Sequence, residues 1–492
     1  MSEDLDDGLD VEPDGPRGRK GRRRAQRHRS WSQILLCLAV GTPALMLGGV
    51  PPAAVLVFLG LVLALWIRLS SRTSEALLVP GVAWLGLALT LLTLLQWAPI
   101  PGLQAAVAPE LHAQVVQALE GTGVSARPGL SPSPADTGLE CARLLGLTLL
   151  FVAAAQLSWR AAATAVAITG ALVALLGFAH EALGMRAIYG LYVARDVDLS
   201  LLPSMLSTFV NPNHQSGLLL LGIFSAAGLA ADQHRLGLDT HDPSKVDRYG
   251  DRFLAAMAAL TVQIPALVLS LSRAAILVLL LLAPLALWLG LRHQRSDRFN
   301  QRRRSQHMSP LRMVVALGLI GLFLLAAQHG AWRELGTLLD LGDPDAPEAS
   351  KLRQVIDALP LVETSPWLGI GRGAFIDAFG PYDSAPSHVL HTHLESAPAT
   401  AVIEWGPIFG GALVLATIVW WLHAMLVHRR RHDGAARQLV LLGLLAVGLQ
   451  NLFDFGFEFL GVSAPAVALA GALSPEPGRR WAPRRARALG AL

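Results

Sequence analysis

Charge is scarce in this chain, at 15% of 492 residues. That shortage argues against an ordinary soluble domain, in which about a quarter of residues are charged. Cysteine is almost missing as well. Cys37 and Cys141 are the two present, and both lie in or beside apolar segments, so they read as small buried hydrophobes. They offer neither a disulfide framework nor zinc-type spacing. Aromatic residues make up only 6% and are not interleaved with the basic runs. A single-strand nucleic-acid binder needs that interleaving for base stacking, so a net charge of +4 and a pI near 9.4 have to be explained otherwise. What abounds is apolar: 53% of the chain is hydrophobic and its mean hydropathy is +0.46. Runs of near-bilayer length recur, Ala274–Leu291 among them. A helix crosses the roughly 30 Å hydrocarbon layer with about 20 apolar residues, and inside it every backbone polar group must be paired. The runs are too long and uniform for barrel strands.

The expected fold class is therefore an all-α polytopic membrane protein with about twelve transmembrane helices. The spans read at roughly 32–49, 52–67, 76–96, 140–157, 161–180, 213–231, 253–271, 274–291, 312–328, 398–425, 438–453 and 459–474. Phe253–Leu291 carries a single charge, Arg273, near its centre. One helix over that stretch would be roughly 58 Å long, so two spans turning near Ser270–Arg273 fit instead. The basic clusters Arg17–Arg29, Arg292–Arg304 with Arg312, Arg429–Arg437 and Arg479–Arg487 each abut an apolar span. With the N-terminus inside, the 40 Lys and Arg residues fall mostly on the cytoplasmic side. The other side keeps Arg127, Arg143, Arg186, Arg195, Arg273, Arg333, Lys351, Arg353 and Arg372. That is the positive-inside pattern.

This orientation divides the chain as follows. Residues 1–31 are a disordered basic cytoplasmic tail, too clearly followed by further spans to be a cleaved signal peptide. Residues 32–328 form a transmembrane bundle with periplasmic loops near 97–139 and 181–212. Residues 329–397 are a large periplasmic loop carrying short helices, 398–474 hold the last three spans, and 475–492 are a basic cytoplasmic tail. The 97–139 loop reads as a short amphipathic helix at Pro109–Leu119 followed by a Pro/Ser/Gly-rich run, Ala126–Gly138. The 329–397 loop reads as a helix at Ala349–Leu359 followed by Pro366-Trp-Leu-Gly-Ile-Gly-Arg-Gly373. Loops of such length are more often functional than passive.

Several residues on that side can carry chemistry. A guanidinium beside a helix turn in a membrane is costly and usually faces a polar cavity, so Arg273, flanked by Ser270 and Ser272, reads as part of an anion pocket. A snorkelling interface anchor is its bland alternative. Ser207-Thr-Phe-Val-Asn-Pro-Asn-His-Gln-Ser-Gly217 opens a span with Asn211 at the cap and Pro212 in the first turn, and free N–H groups there attract anions. His391-Thr-His-Leu-Glu395 precedes a span containing Glu404-Trp-Gly406. A metal would need a third ligand, and none has clear spacing, so one histidine acting as base or donor is the preferred reading. Gly369–Gly373 is too short and too far from any strand for a dinucleotide fold and reads as a flexible turn presenting Arg372. Arginine forks recognise phosphate, which points to a lipid-linked phosphate or diphosphate entering from the bilayer.

In order and spacing, Ser-Thr-Phe-Val-Asn-Pro-Asn-His (207–214), Ser-Leu-Ser-Arg (270–273), Pro-Trp-Leu-Gly-Ile-Gly-Arg-Gly-Ala-Phe (366–375) and His-Thr-His with Glu-Trp-Gly resemble the O-antigen ligase and Wzy-type O-antigen polymerase superfamily. Leu130–Thr137 looks like the family's segment before a mid-chain span, and the resemblance covers about residues 33–474. It implies a metal-independent glycosyltransferase, without cofactor, acting on undecaprenyl diphosphate-linked glycans at the periplasmic face of the inner membrane. Arg273 would bind the donor diphosphate, and His393 or His391 would serve the acceptor hydroxyl. His393 stands eleven residues before Glu404, two more than the family spacing, and this leaves both histidines in play. Further substrate contacts would come from Arg195, Asn211, Asn213, Arg353, Arg372 and Glu404. With a good leaving group, the protein has mainly to align reactants and stabilise charge on the diphosphate. Polymerase is the first reading; its alternative is a ligase transferring the finished glycan to lipid A-core or another acceptor. The partners so implied are the lipid-linked glycan, the acceptor, the bilayer and polysaccharide-assembly proteins. A transporter would instead show midplane sites and repeat symmetry, and a non-catalytic scaffold would need none of these residues.

Overall fold

A computed structural model describes residues 16–71, 77–123, 125, 129–193, 205–298, 347–384, 391–474 and 479–481. The span expected at 312–328, and Arg195, lie outside the described residues. The structure is mostly helical, and among the described residues seven helices are long and apolar enough to cross a membrane by length and composition. In chain order the helices are α1 (Pro16–Leu45), α2 (Pro52–Ser70), α3 (Ala83–Trp97), α4 (Leu103–Val107), α5 (Pro109–Leu119), α6 (Pro134–Ala155), α7 (Trp159–Ala182) and α8 (Pro212–Asp239). There follow α9 (Pro243–Leu269), α10 (Arg273–Arg298), α11 (Pro347–Ala358), α12 (Pro360–Thr364), α13 (Phe375–Phe379), α14 (Ala397–His428), α15 (Gly434–Gln450) and α16 (Leu460–Ala472).

Helix α8 is the axis of the bundle, with 94% of its apolar window buried, and α7, α9 and α15 pack around it. At its centre the fully buried Gln263 of α9 presses against Gly170 of α7 and Gly222 of α8. Its Nε2 donates to the Ala259 carbonyl at 3.1 Å and to that of Ala167 at 3.4 Å. Small residues let these helices approach closely, and the amide then joins them where no water can.

Several boundaries differ from those the sequence suggests. The first helix starts at Pro16, inside the segment read as a disordered tail. The third span begins as a strand: β1 (Leu77–Val79) pairs antiparallel with β2 (Arg479–Trp481), and Gln156 Nε2 donates to the Leu78 carbonyl at 2.6 Å, so the helix starts only at Ala83. Helix α6 reaches back to Pro134, into the Pro/Ser/Gly-rich run, because proline at N1 gives up no helical hydrogen bond. The turn expected near Ser270–Arg273 is present, with α9 ending at Leu269, Leu271 at φ 57°, and α10 starting at Arg273. Between α1 and α2 the chain reverses through Gly48 and Gly49, at φ 71° and 86°.

Beyond the bundle, α4, α5, α11, α12 and α13 enclose a second, smaller core. Leu111 and Leu130 from one loop meet Leu361, Ile370, Phe375 and Phe379 from the other, with Leu394 and Ile403 closing it against α14. The two long loops read separately from sequence thus share one apolar interior.

Candidate functional site

Helix α14 is broken near its start. Gly406 has φ 78° and ψ 159°, and Pro407 follows it. A break frees carbonyls that a membrane cannot solvate, and here the segment 368–373 takes them up. Ile370 N donates to the Ile403 carbonyl at 3.1 Å, and Gly371 N to that of Glu404 at 3.3 Å. Gln96 of α3 completes the clamp. Its Nε2 donates to the Leu368 and Glu404 carbonyls at 2.6 and 2.8 Å, and its Oε1 accepts from Arg372 N at 3.0 Å. Backbone passes so close that a Cβ on Gly369, at φ 72°, would stand 2.3 Å from the Glu404 carbonyl oxygen. The glycines expected to make a flexible turn therefore permit a buried, hydrogen-bonded one.

That turn presents Arg372 inward. Its Nη1 lies 2.6 Å from Glu404 Oε2, its Nε 3.2 Å from Glu140 Oε2, and its Nη2 pairs with Glu458. The guanidinium stacks 4.7 Å from the Trp405 ring centre, and Trp405 Nε1 donates to Thr93 Oγ1 at 2.9 Å. Thr137 Oγ1 donates to the Arg372 carbonyl at 2.7 Å. Arg143, one turn along α6, pairs with Glu140 at 2.6 Å and donates to the Glu458 carbonyl. Burial works against a charged Arg372, but the carboxylates of Glu458, Glu404 and Glu140 outweigh it and push its pKa up. The cluster joins α6, α14 and the turn before α16 to the 368–373 turn through one guanidinium that is 5% exposed.

Beside it lies a cavity of about 210 Å³. Phe209, Phe455 and Phe459 form its apolar walls, the α1–α2 reversal at Leu47 and Gly48 closes one side, and Asn211, His214, Thr392 and His393 supply its polar groups. Segments more than 170 residues apart in the chain thus meet at one point. Asn211 caps α8, its Oδ1 accepting from Asn213 N at 2.8 Å, and the Asn213 carbonyl accepts from Gln450 Nε2 at 2.7 Å. The His393 ring stacks on Phe455 with centroids 4.9 Å apart, its Nδ1 is 3.0 Å from Thr392 Oγ1, and its carbonyl accepts from Gln354 of α11. Burial lowers the His393 pKa to about 4, so its imidazole is neutral at physiological pH. Such a group can hydrogen-bond a hydroxyl without carrying charge into the cavity.

The candidates read from sequence separate accordingly. His393 and Asn211 line the cavity, whereas Asn213 does not and accepts from Gln450 through its carbonyl. His391 is not among the residues lining it and pairs through Nδ1 with Asp383 at 2.9 Å. Arg372 and Glu404 bind each other. Arg353 is exposed on α11. Half-buried Arg273 opens α10 one turn from Ser270, whose Oγ lies 3.4 Å from Ser216 Oγ on α8. The sequence reading passed over Gln96, Glu140, Asp454 and Glu458, and it gave Arg143 no role beyond its sidedness. Ionisable groups inside apolar spans are the signal for Glu140 and Arg143, three residues apart and so on one helix face.

Among the described residues no group of three or more His, Cys, Asp or Glu is arranged to hold a metal ion. No curated protein matches this chain. A family model does, that of the O-antigen ligases, over residues 257–415. The matched stretch contains Arg273, Arg372, His391, His393 and Glu404, whereas Glu140, Asn211 and Glu458 lie outside it. Residues 257–415 of this mostly helical chain thus match the model of the O-antigen ligase family, the family that its motifs resemble.

Proposed function

We propose that the chain is a metal-independent glycosyltransferase of the bacterial inner membrane, with about twelve spans and both termini cytoplasmic. It polymerises undecaprenyl diphosphate-linked repeat units at the periplasmic face. The observation that carries this reading is the cavity, where the Asn-Pro-Asn-His and His-Thr-His segments meet under aromatic walls. Pockets for organic ligands have this character, apolar and aromatic with a few convergent polar groups. Arg273 binds the donor diphosphate and stabilises the charge that develops on it. His393 aligns the acceptor hydroxyl, and Asn211 and Asn213 shape the helix start beside it. Arg195 and Arg353 contact phosphate or glycan. Arg372 and Glu404 act at one remove, by holding the outer loop against the broken helix.

A second reading is favoured by the matched family's own description, O-antigen ligase: transfer of the finished glycan to lipid A-core or another acceptor. Purified protein incubated with the lipid-linked repeat unit alone separates the two. Longer lipid-linked chains support the polymerase. Product that appears only when a core acceptor is added supports the ligase, and no glycosidic product under either condition overturns both. Arg273→Ala and His393→Ala should each abolish the product, and retention of full activity in both would refute the assigned site.

A further inference from the structure

The cavity holds a second imidazole. His214, the third residue of α8, is only 3% exposed yet lines the cavity wall. Its ring stands edge-on to Phe455 at 4.7 Å and tilted over Phe459 at 4.8 Å. Its Nε2 is buried without a hydrogen-bond partner, 3.4 Å from Asp454 Oδ1. Asp454 is 2% exposed and fixed in place: Oδ1 accepts from Phe455 N at 2.8 Å, and Oδ2 from Gln450 Nε2 at 3.1 Å. Its carbonyl accepts from Ala397 N, the first residue of α14. A role confined to joining α8 to the end of α15 would not need this pair, because Gln450 already makes that joint by donating to the Asn213 carbonyl. Nor would it place the ring on the cavity wall with its buried Nε2 beside a carboxylate yet short of a hydrogen bond, which is a costly arrangement for a group with only a structural role. A carboxylate behind one nitrogen of an imidazole whose other face meets a substrate cavity is a base with its orienting group, and such contacts tighten when substrate is bound.

We infer that His214, backed by Asp454, takes the proton of the acceptor hydroxyl, while His393 aligns that hydroxyl. The inference rests on the glycosyl transfer proposed above. In the step, the acceptor oxygen bonds to the anomeric carbon of the donor as the bond from that carbon to the diphosphate oxygen breaks. The electron pair leaves with the diphosphate. The hydroxyl proton passes to His214 Nδ1, the Asp454 carboxylate holds the resulting imidazolium through Nε2–H, and the proton is lost to water as product leaves.

The test uses the full-length protein in lipid nanodiscs, a synthetic polyprenyl diphosphate-linked repeat unit as donor and a short glycan as acceptor. His214→Gln is expected to lower kcat by about 10²–10⁴-fold with the donor KM within about threefold of wild type. An acceptor whose hydroxyl is acidified by neighbouring fluorine should restore much of that loss, since it yields its proton more readily; it should not restore Arg273→Ala. Asp454→Asn, which keeps the imidazole, should lower kcat in the same manner, and it decides the matter if His214→Gln does not fold. Activity within about tenfold of wild type, or a loss that the acidified acceptor leaves untouched, overturns the inference. Wild-type protein that makes no product refutes the proposed function itself, an outcome distinct from active wild type with an unaffected His214 variant.

Discussion

Arg372 is the residue that ties the 368–373 turn to α6, α14 and the turn before α16. It sits among Glu140, Glu404 and Glu458 with almost no solvent. Removing one partner from a buried ion cluster typically costs about 3–5 kcal/mol, because the remaining charges are stranded. Arg372→Met should lower stability by about that amount, read as a depressed Tm of the purified protein in detergent. Arg372→Lys should recover only part, since an ammonium cannot reach three carboxylates in the fork geometry of a guanidinium. His393 makes a second prediction, for pH. Its folded pKa of about 4 lies below the ordinary 6.5, so folding favours the neutral ring. The corresponding stability is fully present above pH 6.5 and is lost as pH falls from there through 4, by at most about 3 kcal/mol. Between pH 6.5 and 4, wild type should therefore lose stability more steeply than His393→Gln, in denaturant titrations run in parallel. Equal slopes would show that the ring is not held neutral. At this scale the sequence was partly legible. Arg273 and the His-x-His pair stand out because charge and imidazole are rare beside apolar runs. Of the partners of Arg372, Glu404 stands in the Glu-Trp-Gly motif, but Glu140 and Glu458 do not stand out, because they are separated by more than 300 residues and only folding brings them together.

Single helices carry a different lesson, since what matters in them is where they fail. The break of α14 at Gly406 leaves carbonyls that the 368–373 segment must satisfy, and that segment fits only because Gly369 has no side chain. Gly369→Ala would drive a Cβ into the Glu404 carbonyl and force an L residue into φ 72°, so it should detach the loop and abolish activity at a cost of roughly 3 kcal/mol or more. Gly411, five residues past the break on the same helix, has nothing within 4 Å of its notional Cβ. Gly411→Ala should leave activity intact and stabilise the helix by about 0.5–1 kcal/mol. Opposite signs from the same glycine-to-alanine change, one in the clamping turn and one on the helix it clamps, distinguish a structural clamp from a general dislike of bulk, and Tm with turnover measured on both variants reads it. Periodicity announces α14 as an apolar helix, and Gly-Pro at 406–407 signals that it is interrupted. Only the fold says what fills the interruption. The same holds for the first turn of α6, where proline and serine suggested a loop and the N1 preference of Pro134 gave a helix instead.

For the whole molecule, the two ends of the bundle differ in kind. One end carries the cavity, the Arg372 cluster and the small second core built from both long loops. At the other, Arg160 of α7 forks onto Asp232 of α8 at 2.6 and 2.9 Å, and Asp433 before α15 accepts from Trp159 Nε1 at 2.9 Å and Arg437 Nε at 2.9 Å. Among the described residues, Arg429–Arg431 and the strand Arg479–Trp481 that pairs with β1 lie at that second end. The positive-inside rule predicts that this end faces the cytoplasm, which would put the cavity on the periplasmic side that the proposed function requires. The orientation can be measured directly. Cys37 and Cys141 are free thiols and are first replaced by serine. Leu183, just past α7 at the cavity end, is 74% exposed, and Val246, early in α9 at the other end, is 40% exposed. In intact cells with a permeabilised outer membrane, Leu183→Cys should react with a membrane-impermeant maleimide while Val246→Cys stays silent until the inner membrane is broken. The reverse pattern would turn the cavity to the cytoplasm, where the proposed donor has not yet been flipped, and the polymerase and ligase readings would fall together.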